Sequence, residues 1–154
     1  MFGNSQKKRA SAPGLGMGEA VMELLVIMCG RLRTAGLINT PEHFHNAQMY
    51  SSQFFYLDPV LNGKLKAIAR DLLPNYSLFE ATWAIDLKCV LENGRPFEWF
   101  TGDQLIPLDR DLKEYFVNKE FIRATNEAFQ NFSYTVNFEL WNERKKQIKH
   151  LYSI

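Results

Sequence analysis

Few side chains in this 154-residue chain are of the kinds that carry out catalysis, and their spacing does not bring them together. His43 and His45 are the one close pair of histidines. Two positions apart on a helix they point roughly 200° apart and cannot chelate one metal ion. His150 stands alone near the end. Cys29 and Cys89 are sixty residues apart, which makes neither a zinc ligand set nor a disulfide framework. Both fall in apolar stretches and read as reduced core thiols. Asp58, Asp71 and Asp86 form a carboxylate cleft only if the fold gathers them, and helix capping and solvated faces account for them more simply. Gly14-x-Gly16-x-Gly18 precedes any regular element, and no Gly-rich loop ending in Lys-Ser/Thr follows a strand. The expectation is a non-enzymatic chain with no catalytic residue, no metal site and no cofactor.

Two other groups of residues carry binding chemistry instead. Pro96-Phe97-Glu98-Trp99-Phe100 sets three large apolar side chains in a segment rich in turn residues. Phe97, Trp99 and Phe100 either fold back onto the core or form a patch for self-association. The second group is basic. Residues 1–18 carry +3 from Lys7, Lys8 and Arg9, and residues 142–154 carry +3 from Arg144, Lys145, Lys146 and Lys149 against Glu143. The formal total is +1, so the middle of the chain carries −5. A mildly acidic body with two basic ends favours polyanions at those ends: lipid head groups, nucleic acid or an acidic neighbour. Phe2 beside Lys7-Lys8-Arg9 adds an apolar anchor, and the same triplet would also suit a nuclear address.

The elements that must position these residues follow from pattern. Residues 1–18 hold Gly3, Ser5, Ser11, Pro13, Gly14, Gly16 and Gly18 without periodicity and read as a flexible basic arm. Residues 19–154 read as one domain. The stretch 21–33 fits a helix through Val21, Leu24, Leu25, Met28 and Leu32, or a strand buried on both faces; Gly30 speaks against a long helix. Thr40-Pro41-Glu42 and Asp58-Pro59 carry the N-cap and first-turn proline of helix starts, and Pro74-Asn75 ends the second helix. Residues 81–91 and 132–140 alternate apolar and polar and predict half-buried strands. Glu92-Asn93-Gly94 is a turn and 95–110 a long loop. Asn118-Lys119-Glu120 opens a helix running through Phe129, and 148–154 is a short strand or tail. The fold class is α+β: a single domain with a mostly antiparallel twisted sheet packed against helices.

In this order the features resemble the matrix proteins of non-segmented negative-strand RNA viruses, rhabdoviruses above all. The likeness runs from Glu23-Leu24-Leu25-Val26-Ile27-Met28-Cys29 through Thr40-Pro41 and Phe54-Phe55-Tyr56 to Ala67-Ile68, then through 81–91, 95–110, 119–129 and 132–141. Asn118-Lys119-Glu120 and Ala128-Phe129-Gln130-Asn131-Phe132-Ser133-Tyr134 are similar to a helix-to-strand junction of bornavirus matrix proteins. The resemblance implies that 21–33 is a strand. It also implies a structural virion protein that self-assembles, condenses the ribonucleoprotein and links it to the envelope. Implied partners are further copies of the chain, the viral nucleoprotein–RNA complex, an anionic membrane surface and an envelope glycoprotein tail. Implied locations are the virion, the host cytoplasm and inner membrane surface, and the nucleus. No Pro-Pro-x-Tyr or Pro-Thr-Ala-Pro motif is present, so recruitment of host budding machinery is not implied. The rival classes are an adaptor or assembly subunit of a secretion or conjugation apparatus, and a small pocket-bearing enzyme.

Composition narrows the field further. With 46% hydrophobic and 23% charged residues the chain as a whole is no disordered polymer. Its longest apolar run is far short of the ~20 residues that span a bilayer. The expected state is a soluble intracellular chain.

Overall fold

The computed structural model describes residues 15–149, with side chains from Gly18 onward. By its internal contacts the chain divides into two compact units, Met1–Thr34 and Ala35–Ile154. The described part of the first is one helix, α1 (Leu15–Arg31). The strand implied for 21–33 is therefore corrected to a helix. A helix satisfies its own backbone groups, whereas a strand buried on both faces needs neighbours on both edges and both faces. Gly30 lies in the last turn, where its cost is small. Arg33 then takes a left-handed conformation (φ 54°), and the N–H and hydroxyl of Thr34 donate to the Cys29 carbonyl at 3.1 and 3.2 Å, closing the helix end.

The second unit is α+β, as its residue pattern predicts. Strand β1 (Gly36–Asn39) is followed by α2 (Phe44–Met49), β2 (Phe55–Tyr56), α3 (Pro59–Leu72) and α4 (Leu78–Asp86). Next come β3 (Val90–Glu92), β4 (Arg95–Pro96), β5 (Gln104–Pro107), α5 (Arg110–Val117) and α6 (Lys119–Asn131). Strand β6 (Tyr134–Val136), α7 (Phe138–Arg144) and a 3-10 turn (Lys145–Gln147) complete the described chain. The strands form two antiparallel sheets of three, in the orders β1-β5-β2 and β4-β3-β6. Leu105 of β5 stands opposite both Ile38 and Phe55. The main core gathers Phe44, Tyr56, Ile68, Leu72, Ile85 and Val90 with Phe97, Tyr134, Trp141 and Ile148. A smaller core joins Leu105, Phe116 and Phe121.

Helix ends explain where the pattern succeeded and where it misled. Asp58 caps α3 by accepting from the Val60 N–H at 2.8 Å, and Asn118 caps α6 by accepting from Phe121 at 2.7 Å, both as expected. Thr40-Pro41 does not open a helix. Thr40 donates its hydroxyl to Asp103 at 2.6 Å, Pro41 is buried, and α2 starts only after His43.

Residues 81–91 are corrected from strand to the last turns of α4 plus the short β3. A capping box starts that helix: Ser77 accepts from the Glu80 N–H at 3.2 Å while Glu80 accepts from the Ser77 N–H at 2.8 Å. The alternating residues Ala81 and Ile85 also share a helical face with Ala84, and all three are buried. Residues 132–140 are corrected in the same way to β6 and the start of α7, which Asn137 caps through the Leu140 N–H. The expected long loop 95–110 contains β4 and β5. The turn at Asn93-Gly94 is present, with φ of 49° and 79° joining β3 to β4.

Candidate functional site

Lys7, Lys8 and Arg9 lie outside the described residues. The other basic cluster sits at the junction of α7 and the 3-10 turn. Trp141 and Ile148 are both buried and seat this junction in the main core. The six-residue span between them leaves Lys146 exposed and Lys145 half-buried. Arg144 is used differently. Its guanidinium donates to the Leu87 carbonyl at the C-terminal end of α4, where a cation meets the negative end of the helix dipole. Lys149 is exposed and also engaged in an interaction. The four residues predicted as one polyanion surface thus divide: Arg144 clamps the fold, and the neighbouring lysines lie on a turn whose backbone is held from both sides.

The aromatic segment folds back onto the core, the first of its two expected destinations. Phe97 is 5% exposed and packs edge-on against Tyr134, so it offers nothing to a second copy. Trp99 donates its indole N–H to the Pro41 carbonyl at 3.1 Å and stacks on Phe100 at 4.5 Å. Trp99 and Phe100 keep a partly exposed edge. The three are therefore not equivalent as self-association residues.

Side chains offered as catalytic candidates have structural partners. Asp58 caps α3. Asp71 receives the Arg70 guanidinium and accepts the Tyr134 N–H at 2.9 Å. Arg70, chiefly, holds the Asp71 carboxyl below its ordinary pKa. Cys89 is buried, and burial pushes its thiol pKa up while the nearby Arg144 opposes the shift. Cys29 is half-buried on α1.

The histidines depart from the expected geometry. His43 precedes α2 in extended conformation, so its ring does not follow the helical rotation. It stacks with His45 at 5.7 Å and 13°. Nδ1 of His43 lies 3.0 Å from the Asp86 carboxylate of α4, without hydrogen-bond geometry. Burial, then the charge of His43, lowers the pKa of His45, and Asp86 opposes the change. Among the described residues no three His, Cys, Asp or Glu side chains gather where a metal ion would sit. Sequence spacing missed this cluster because it assumed both histidines were helical.

A pocket of about 200 Å³ lies between α2 and α3, lined by Gln48, Phe54, Phe55, Leu65 and Lys66 among others. Its other polar groups are in use: Asn62 bonds both the N–H and the carbonyl of Tyr56, and Ser51 donates to the Gln48 carbonyl. No helix among the described residues is long and apolar enough to cross a membrane.

No known family, curated protein or solved structure matches the chain.

Proposed function

We propose that this chain is a viral matrix protein, a structural protein that self-assembles and bridges a ribonucleoprotein to an anionic membrane surface. The observation that carries the reading is the basic turn after α7. Lys145 and Lys146 stand between two buried anchors, so a polyanion meets charges whose backbone is already ordered. Binding then costs less ordering entropy than a floppy basic tail would pay. The Asn118-to-Tyr134 stretch adds support, because its helix runs into a strand as the bornavirus resemblance implies. The rhabdovirus likeness in element order is narrower than the residue pattern suggested, since 21–31 and 78–86 are helical.

In this reading Lys7, Lys8 and Arg9 and the α7 turn grip polyanions, the partly exposed edges of Trp99 and Phe100 contribute to contacts between copies, and no chemistry is performed. Weak contacts suit the task because a lattice multiplies them. The test is binding to vesicles rich in phosphatidylserine at low salt. Lys145→Glu with Lys146→Glu should cost roughly 2 kcal/mol, about thirtyfold in affinity. Negative-stain images of the wild-type protein should show filaments or sheets. Unchanged vesicle binding in that variant and in one with Lys7, Lys8 and Arg9 all replaced by Glu, with no ordered assembly at low salt, would reject the matrix reading.

A further inference from the structure

Two asparagine–glycine pairs occur in the chain, Asn62-Gly63 and Asn93-Gly94. Such pairs carry a chemistry of their own, because glycine lets its nitrogen approach the preceding side chain unhindered. That nitrogen loses its proton to a solvent base and attacks Cγ of the asparagine. A C–N bond forms, the Cγ–Nδ2 bond breaks, and ammonia leaves with a proton from solvent, giving a five-membered imide. Water then opens the ring at either carbonyl, to aspartate or to isoaspartate.

The fold treats the two pairs differently. Asn62 lies inside α3, 7% exposed, and bonds both the N–H and the carbonyl of the buried Tyr56. Gly63 meets α6 with no space for a Cβ. Freeing that pair requires the main core to come apart. Asn93 and Gly94 are exposed at the tip of the β3–β4 hairpin, and a Cβ added at Gly94 would meet nothing within 4 Å. With φ of 49° and 79° they form a type I′ turn, which sets ψ of its first central residue near ~+30°. Closing the imide needs the Gly94 nitrogen to eclipse Cβ of Asn93, a rotation of more than about 90° from that turn.

What holds the turn is its attachment to the junction of α6 and β6. Asn93 donates its backbone N–H to the Ser133 carbonyl at 2.8 Å and its Nδ2 to the Asn131 carbonyl at 3.1 Å. Its Oδ1 accepts from the N–H and the hydroxyl of Ser133 at 2.8 and 3.1 Å. These donors polarise the amide, yet the ring cannot close while the turn keeps its backbone.

We propose that Asn93 is a site of spontaneous deamidation and isomerisation, gated by release of the hairpin tip from Asn131 and Ser133. Conversion runs one way. Aspartate has no N–H for the Asn131 carbonyl and sets a carboxylate beside it. Isoaspartate lengthens the backbone of a two-residue turn whose register pairs Glu92 with Arg95. The inference rests on the hairpin alone and stands whether or not the matrix reading does.

The test is peptide mass mapping of the full chain held at mildly alkaline pH, folded and in denaturant. In denaturant both pairs should gain the mass of an amide-to-acid exchange. In the folded protein Asn93 should convert more slowly than in denaturant, yet at least about tenfold faster than Asn62. Ser133→Ala should raise the folded-state rate at Asn93 at least about twofold, the lower worth of one hydrogen bond, and leave Asn62 unchanged. A general loss of stability would raise both rates together. Asn93→Asp should lower the melting temperature. Equal rates at the two pairs in the folded protein, no conversion of Asn93 there, or the same Asn93 rate folded and unfolded would each overturn the proposal. So would a Ser133→Ala variant whose two rates rise together or stay unchanged, and an Asn93→Asp variant that melts with the wild type. Vesicle binding and ordered assembly enter none of these measurements, so the two readings fail separately.

Discussion

Helix α1 and the crossing of α3 with α6 show opposite relations between composition and burial. Helix α6 has charged or amide side chains at more than half its positions, yet it buries Phe121, Thr125 and Ala128. Helix α1 is far more apolar and buries none of its described residues. For α6 the burial comes from the close fit of α3 within the second unit. At Gly63 of α3 an added Cβ would lie 2.3 Å from the Thr125 carbonyl oxygen and 2.5 Å from Cβ of Ala128, so the two backbones meet with no room for a side chain. Arg70 then ties the far end of the crossing by donating to the carbonyls of Phe129 and Phe132, while Asp71 holds that guanidinium and the Tyr134 N–H.

The strongest way to break this contrast is to fill the crossing. Gly63→Ala should destabilise the protein by about 3 kcal/mol, the upper end of overpacking costs, as measured by chemical denaturation. A near-neutral result would mean that α3 and α6 do not approach as closely as described.

A smaller effect is expected at the clamp. The Asp71 carboxyl titrates below its ordinary 3.8 in the folded state, chiefly because of Arg70. Its stabilisation is therefore complete above that value and is lost as pH falls through the lower folded pKa. Asp71→Asn should cost about 1–2 kcal/mol at neutral pH, and its stability should fall less steeply in acid than that of the wild type. Parallel acid limbs would remove Asp71 from the clamp.

The smallest effect sharpens the comparison from the other side. Nothing lies within 4 Å of a Cβ added at Gly30. Gly30→Ala should strengthen α1 by only about a few tenths of a kcal/mol, a fraction of the interior helix-propensity difference because the position lies in the last turn, read as increased far-ultraviolet helicity. The same substitution would thus carry opposite signs in the two regions.

How legible the fold was depended on what competed with each local signal. Asp58-Pro59 and Thr40-Pro41 look alike in sequence. The first caps a helix because the Asp58 carboxylate accepts from the Val60 N–H. The second does not, because Thr40 follows β1 directly and its hydroxyl is claimed by Asp103, the residue before β5. The alternation at 81–91 and 132–140 predicted strands, and short strands do form at one end of each: β3 and β6, which pair with each other. The remainder became helix because Ser77 with Glu80, and Asn137, supply caps. The Ser77-x-x-Glu80 spacing is the local sequence signal for that helix start, and the strand expectation for 81–91 did not take it into account. The basic cluster after α7 was visible from charge alone, but the assignment of Arg144 to the Leu87 carbonyl was not, since those residues are fifty-seven positions apart.

Sequence by itself determined the α+β class, the helices opened by Asp58 and Asn118, the turn at Asn93-Gly94 and the basic character of the C-terminal cluster. Each of these rests on contacts within a few residues or on composition, which neighbours in space cannot erase. Tertiary structure alone decided that the strands divide into two sheets, that Phe97 turns inward, that His43 stacks on His45, and that α3 and α6 meet at Gly63. Those outcomes depend on which distant surface reaches a given side chain first, and that competition is resolved only when the whole unit packs.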